Sequence, residues 1–300
     1  MGAAGSGAAG GGGALAAGSG GTAAAAGSSG SAGSGTATPG AVTDPELGPV
    51  GLGNVGIGVN DLDKAAAFFV EMFGMKVQTP LIEREDRTER VLSFGNGKTT
   101  LSLMKYRDAR VIMGCPDVNE CSPENVPGKL VFGMSSPSAT GRKIVAAGYK
   151  SILNVGAIVQ VSAIDGYMIE ILQGDPIVMA LAIAVTDFEK TNAFYSMTFG
   201  LESTGTYNDR AMSGLQEQFY ADPAGGAAVV IQHYTQGEWN YKNNPMKTLW
   251  RVADPAAALM KVVAAGGSML SAPAPLPAFN NKLTAIAKDA DGYILELVQK

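Results

Sequence analysis

The chain reads as an α+β protein built from four βαβββ half-units, and three observations predict this. Residues 55–75, VGIGVNDLDKAAAFFVEMFGM, return 126 positions later as 181–201, LAIAVTDFEKTNAFYSMTFGL. DGYMIEILQ at 165–173 returns as DGYILELVQ at 291–299, again 126 positions on. Within each copy, the order of one strand, one helix and three short strands occurs twice. Between these anchors, KIVAAG at 143–148 and KVVAAG at 261–266 lie only 118 apart. Copy one is therefore longer before this helix and copy two longer after it. A repeated domain confines such length changes to loops.

The elements follow in order. VGIGV alternates as a strand does. Asp61 and Asp187 then stand where a helix N-cap is expected, and Ala67, Phe68, Ala193 and Phe194 supply apolar helix positions. Gly74 and Gly200 stand where a glycine ends a helix. Short strands follow: MKVQT, RVLSFG and TTLSLMKY in copy one, LESTGTY, EQFYAD and AAVVIQHY in copy two. The second half-units open with KLVFGM and KTLWRV as strands. Helices follow over SPSATGRKIVAAG and DPAAALMKVVAAG. SILNVG, AIVQVSA and YMIEILQ, matched by SMLSA, KLTAIAK and YILELVQ, complete them.

Residues 1–40 stand apart, with 15 Gly, 13 Ala and 6 Ser. Such a stretch cannot bury enough apolar surface to offset its ordering entropy, so residues 1–48 read as a flexible low-complexity tail. The tail lacks a basic start followed by an apolar core, so it is not a signal peptide. It is similar to the tethers that follow the anchor cysteine of some bacterial lipoproteins. The chain is expected to be cytoplasmic if Met1 is native, and exported or lipid-tethered if the tail follows a removed signal. Cys115 and Cys121 fit a short-loop disulfide in the exported case and two free thiols in the other.

Composition excludes several classes. A net charge of -5 with scattered Lys and Arg argues against nucleic-acid binding. No run of about 18 apolar residues exists to span a membrane as a helix. The single histidine, His233, excludes His-rich metal sites, and two cysteines cannot build a structural zinc site. GLGNVGIG at 51–58 enters a strand rather than a helix, so a nucleotide-binding loop is rejected.

The strand–Asp–helix opening and the DGYxxELxQ ending resemble the vicinal oxygen chelate superfamily, which includes glyoxalase I, bleomycin-resistance proteins and extradiol dioxygenases. The resemblance covers about residues 50–300. It implies four βαβββ modules paired into two cup-shaped, glyoxalase-like domains, the first over 49–175 and the second over 176–300. Metal-using members place His, Gln or Glu on the first and last strands of each half-unit. In copy one those positions hold Asn54, Ser102, Lys129 and Glu170, and in copy two Ala180, Val230, Lys247 and Glu296. One carboxylate per copy falls short of the three or four ligands a divalent ion needs, and an ammonium repels a cation. No metal and no cofactor is therefore expected.

Lysine and glutamate recur together, Lys129 with Glu170 and Lys247 with Glu296, and under the family geometry each pair shares a cup. In one reading these four are catalytic, the lysine binding a ligand oxygen or acting as a base. In the other, a buried ion pair holds strands together. Strand alternation puts Gly56, Gly58, Met104, Val131 and Gly133 on the cup face of copy one. In copy two it puts Ala182, Ala184, Gln232, Leu249 and Arg251 there. Asn54, Ser102, Met104, Gln232 and Arg251 are the candidate ligand contacts, with Arg251 suited to an anion. His233 has the opposite parity and reads as structural. EREDRTER at 83–90 reads as a solvated hairpin. HYTQGEWNYKNN, with Tyr234, Trp239 and Tyr241, reads as a ligand cover, an oligomer contact or simple packing. SAPAPLPAFNN at 271–281 reads as a lid over the second cup or a stiff connector.

Three functions fit. The first is a metal-independent protein, monomer or homodimer, that binds a small polar or anionic ligand in a cup. The second is a metal-independent lyase or isomerase using the cup lysines. The third is a relative of glyoxalase I or of ring-cleaving dioxygenases that has lost activity and serves a structural role.

Overall fold

The structure is a computed structural model that describes residues 50–78, 81–108, 110–114, 128–209, 214–236 and 245–300. The tail over 1–48, Cys115, Cys121, Trp239 and Tyr241 lie outside the described residues. The first module comprises β1 (Gly51–Gly58), α1 (Leu62–Phe73), β2 (Lys76–Val77), β3 (Ile82–Glu83), β4 (Arg87–Ser93) and β5 (Thr100–Tyr106). The second comprises β6 (Gly128–Met134), α2 (Pro137–Ala146), β7 (Lys150–Asn154), β8 (Ile158–Ser162) and β9 (Met168–Gln173). The third comprises β10 (Ile177–Ala184), α3 (Phe188–Phe199), β11 (Ser203–Asp209), β12 (Leu215–Tyr220) and β13 (Ala228–Tyr234). The fourth comprises β14 (Met246–Val252), α4 (Pro255–Ala264), β15 (Ser268–Leu276), β16 (Lys282–Lys288) and β17 (Ile294–Gln299). Among the described residues no helix is long and apolar enough to cross a membrane.

Local chemistry sets the helix ends. The Asp61 and Asp187 carboxylates accept the backbone N–H of Lys64 and Lys190, each satisfying a donor left free in the first turn. Gly74 and Gly200 close α1 and α3 in the left-handed conformation, at φ 72° and 66°. Asp254 caps α4 in the same manner, and Pro137 and Pro255 open α2 and α4 where a missing N–H costs nothing.

Two mixed sheets form. One runs β15-β16-β17-β14-β1-β5-β4-β2, with β3 also paired to β4. The other runs β11-β12-β13-β10-β6-β9-β8-β7. Each sheet therefore draws one half-unit from each sequence copy, which corrects the expectation that a copy folds its own two half-units into a cup. Modules one and four share one cup, and modules two and three share the other.

The link between β9 and β10 explains this. From Gln173 to Ile177 the link through Gly174, Asp175 and Pro176 spans at most about 14 Å. Two strand spacings take about 9.5 Å. The link therefore steps across one intervening strand with little slack. That strand is β6, which is hydrogen-bonded to β9 on one side and β10 on the other. Gly133 lies beneath the crossing, where an added Cβ would sit 2.3 Å from the Asp175 carbonyl oxygen. Modules two and three are thus tied into one sheet, and one and four pair with each other.

The helix-side core keeps each copy together. In copy one, Phe69 and Phe73 of α1 pack on Phe132 of β6. In copy two, Phe199 stacks on Trp250 of β14 at 4.2 Å and 14°. Large aromatic faces bury much apolar area in such contacts. The DGY motif clamps the same halves. Tyr167 donates its hydroxyl to the Gly58 carbonyl, and Tyr293 donates to that of Ala184. Asp165 accepts from Asn60, and Asp291 accepts from Thr186.

Candidate functional site

The cup of modules one and four holds a cleft of about 660 Å³. Asn54 of β1, Ser102 of β5, and Lys247, Leu249 and Arg251 of β14 line it, and Phe279 borders it from the β15–β16 hairpin. Residues two apart on a strand share a face, so the β14 trio projects into one space. The segment read as a lid over the second cup thus forms this hairpin, and its Ala278, Phe279 and Asn280 border the cleft shared between copies.

At the cleft floor, the Lys247 side chain is 1% exposed. Its ammonium donates to Glu89 Oε2 at 2.5 Å and Glu296 Oε2 at 3.1 Å. Gly56 makes room for its stem, since a Cβ there would lie 2.6 Å from Lys247 Cγ. Arg87 donates through Nε to Glu89 Oε1 at 2.6 Å and through Nη2 to Glu296 Oε1 at 3.1 Å. Arg84 lies 3.7 Å from each of the same carboxylates and over the Phe279 ring at 5.4 Å. Its Nε and Nη2 are buried without a hydrogen-bond partner, as is Asn54 Oδ1.

Charge governs this floor. Burial alone would raise the Glu89 carboxyl, but Lys247 and Arg87 beside it hold it down at about 2. Burial opposes the charge of Arg87, yet Glu89, Glu296 and Asp86 raise its pKa further above the ordinary value. The expectation of a solvated hairpin over 83–90 is therefore corrected, because Arg87 and Glu89 are core-facing alternate residues of β4. Water meets the outer hairpin residues, such as the half-exposed Asp86.

The second cup carries a parallel network with different walls. Lys129 donates to Glu170 Oε2 and to Glu217 Oε1, each at 3.0 Å. Gln160 adds a hydrogen bond to Glu170, and Gln232 one to Glu217. Burial opposes the Lys129 charge, yet Glu217 and Glu170 raise its pKa above the ordinary lysine value. Val131, Leu172, Ala180, Ala182 and Val230 form the apolar wall.

The predicted residues thus regroup. Asn54, Ser102 and Arg251 come together with Lys247 and Glu296, while Lys129, Glu170 and Gln232 belong to the other cup. Met104 is fully buried on β5, paired across from Glu89, and does not line the cleft. The His233 ring donates from Nδ1 to the Val185 carbonyl, 2.9 Å away, a structural contact. Sequence reading missed Glu89 and Glu217. They are 128 positions apart, the same offset that relates Met104 to Gln232 one strand away. That shared offset was the available signal.

As a cation site, neither cup fits. The positions that would hold a metal carry Asn54, Ser102, Lys247 and Glu296 in one cup and Ala180, Val230, Lys129 and Glu170 in the other. In both, an ammonium already takes the carboxylate oxygens. Hard divalent ions require several free oxygen or nitrogen donors at about 2 Å.

The family model described as the glyoxalase/bleomycin resistance protein/dioxygenase superfamily matches residues 51–116 and 177–297. Among solved structures, glyoxalase I from Zea mays is similar at 20% identity and TM-score 0.65, over 83% of this chain and 92% of that one. A putative dioxygenase from Bacillus subtilis is similar at 12% identity and TM-score 0.59, over 84% and 86%. These likenesses show the fold. No curated protein sequence matches the chain.

Proposed function

Because the chain belongs to the glyoxalase/bleomycin resistance protein/dioxygenase superfamily, we propose that it is a member that binds a small polar or anionic molecule, without a divalent metal, in the cleft of modules one and four. One observation carries this reading. Lys247 stands at a family ligand position with its ammonium clasped by Glu89 and Glu296, so the cleft floor already holds its cation. Asn54, Ser102 and Arg251 then offer a ligand hydrogen bonds rather than a coordination shell.

The cup lysines act as fixed charges rather than bases. The raised pKa of Lys129 keeps it protonated at neutral pH, and both lysines have two carboxylate partners. A proton acceptor needs the opposite tuning. This argues against the lyase or isomerase alternative. The structural alternative fits the second cup, where an apolar wall encloses the Lys129 network.

Native mass spectrometry of the purified full chain, with parallel elemental analysis after incubation with zinc, nickel and manganese, tests the proposal. The expected result is an organic adduct or ligand uptake with less than a tenth of an equivalent of metal. One equivalent of tightly held divalent metal would refute it.

A further inference from the structure

The two cups share one fold and one ancestral sequence unit, so each serves as a control for the other. Equivalent positions can be compared where the register is the same. Asn54 corresponds to Ala180 and Ser102 to Val230. Arg87 corresponds to Leu215, each pairing with a tyrosine, Tyr106 or Tyr234. Arg251 corresponds to Gly133, each pairing with the start of the neighbouring module's first strand, at Gly51 or Ile177. All four differences run in one direction. The cup of modules two and three is small and apolar at these places, and the cup of modules one and four is polar or cationic.

The Arg251 position has a topological reason. In the second cup, the 174–176 link crosses over Gly133 and leaves no space for a side chain there. Among the described residues no link crosses at the matching end of the first cleft. Arg251 occupies that end and lies against Gly53, where a Cβ would be 2.7 Å from its Nε. Among the described residues lining this cleft, Glu89 is the acidic side chain, against the cationic side chains of Lys247, Arg251 and Lys282. Glu89 is already saturated by Lys247 and Arg87. Arg84 lies behind the cleft floor, its Nε and Nη2 facing Glu89 and Glu296 at 3.7 Å beneath the Phe279 ring. Asn54 Oδ1, at the cleft wall, is a buried acceptor with no hydrogen-bond partner, and leaving it unmet is costly unless a ligand satisfies it.

Resting on the reading above, we infer that the cleft of modules one and four takes an organic anion, a carboxylate or phosphate monoester on a flat apolar body. Arg251 reads the anionic group. Phe279 and Leu249 pack against the body, and Asn54 Oδ1 accepts from a ligand donor. Guanidinium forks suit both anion types. The second cup takes no such ligand.

Isothermal titration of the full chain with four probes sharing one ring system tests this: 2-naphthoate, 2-naphthyl phosphate, neutral 2-naphthamide and 2-naphthylmethylammonium. The expected result is one site per chain for at least one anion, with the amide about tenfold or more weaker and the ammonium unbound. Arg251→Gln is expected to weaken the anion about tenfold, and Arg251→Lys to restore part of the loss. Urea midpoints of these variants separate lost binding from lost folding. An amide or ammonium binding as tightly as the anions would overturn the inference, as would full affinity in Arg251→Gln. If no probe binds but the native mass shows another adduct, the anion class fails and ligand binding stands. If no probe binds and the mass is bare, both fail.

Discussion

Replacing Lys247 by Met keeps the apolar stem against Gly56 and deletes the charge. Glu89 and Glu296, 1% and 0% exposed, then face each other with Arg87 as their close cation. Breaking one partner out of a buried ion network costs about 3–5 kcal/mol. The pH dependence has a definite sign. Against the opposing effect of burial, Lys247, Arg87 and Arg84 together hold the Glu89 carboxyl at about 2, below an ordinary 4.5. Because its folded pKa is depressed, the stability it contributes is present above about pH 4.5 and is lost as pH falls through about 2. Lys247→Met is therefore expected to lose about 3 kcal/mol at pH 7, measured by urea unfolding followed by far-UV circular dichroism. Its deficit should shrink on acidification toward pH 3, where Glu89 takes up a proton in the variant. Lys247→Met with Glu89→Gln should recover a large part of the loss. A single variant within about 0.5 kcal/mol of the parent at pH 7, with no pH dependence in the difference, would refute the network as the holder of this cup.

Asp289 carries the opposite pH signature. Burial, and then Asp291 beside it, raise its carboxyl to about 7, although Tyr195 and the Tyr293 backbone donate to it. Stability from this raised group is fully present below about pH 4 and is lost as pH rises through 7. Asp289→Asn should flatten the parent's decline between about pH 4 and 7 in thermal melts, and an unchanged slope would count against a buried protonated Asp289. Expressed alone, residues 49–175 would leave β1 without β14 and β6 without β10. Such open edges drive strand pairing between chains. The fragment should therefore self-associate, and a well-folded monomer by sedimentation would contradict the cross-copy sheets.

The half-units were legible because their signals are local. Asp61 and Gly74 mark the ends of α1 through caps a few residues long. Alternation in KTLWRV placed Lys247, Leu249 and Arg251 on one face, and the structure puts all three in the cleft. The same alternation in RTERVLS held Arg87 and Glu89, but its mixed charges suggested solvent. A charged strand face is indistinguishable in sequence from a cup floor until its partners are known. Lys247, the ammonium that Glu89 shares with Glu296, comes from 158 positions away.

The sequence by itself determined the fourfold βαβββ repeat, the helix ends and the shared face of Lys247, Leu249 and Arg251 on one strand. Tertiary structure alone decided which half-units share a cup, and so which residues meet. The physical reason is geometric. Period and capping act within about one element, whereas sheet partnership was set by a three-residue link that reaches across one strand over Gly133. That crossing closes one cup's end with backbone and leaves the other's open for Arg251.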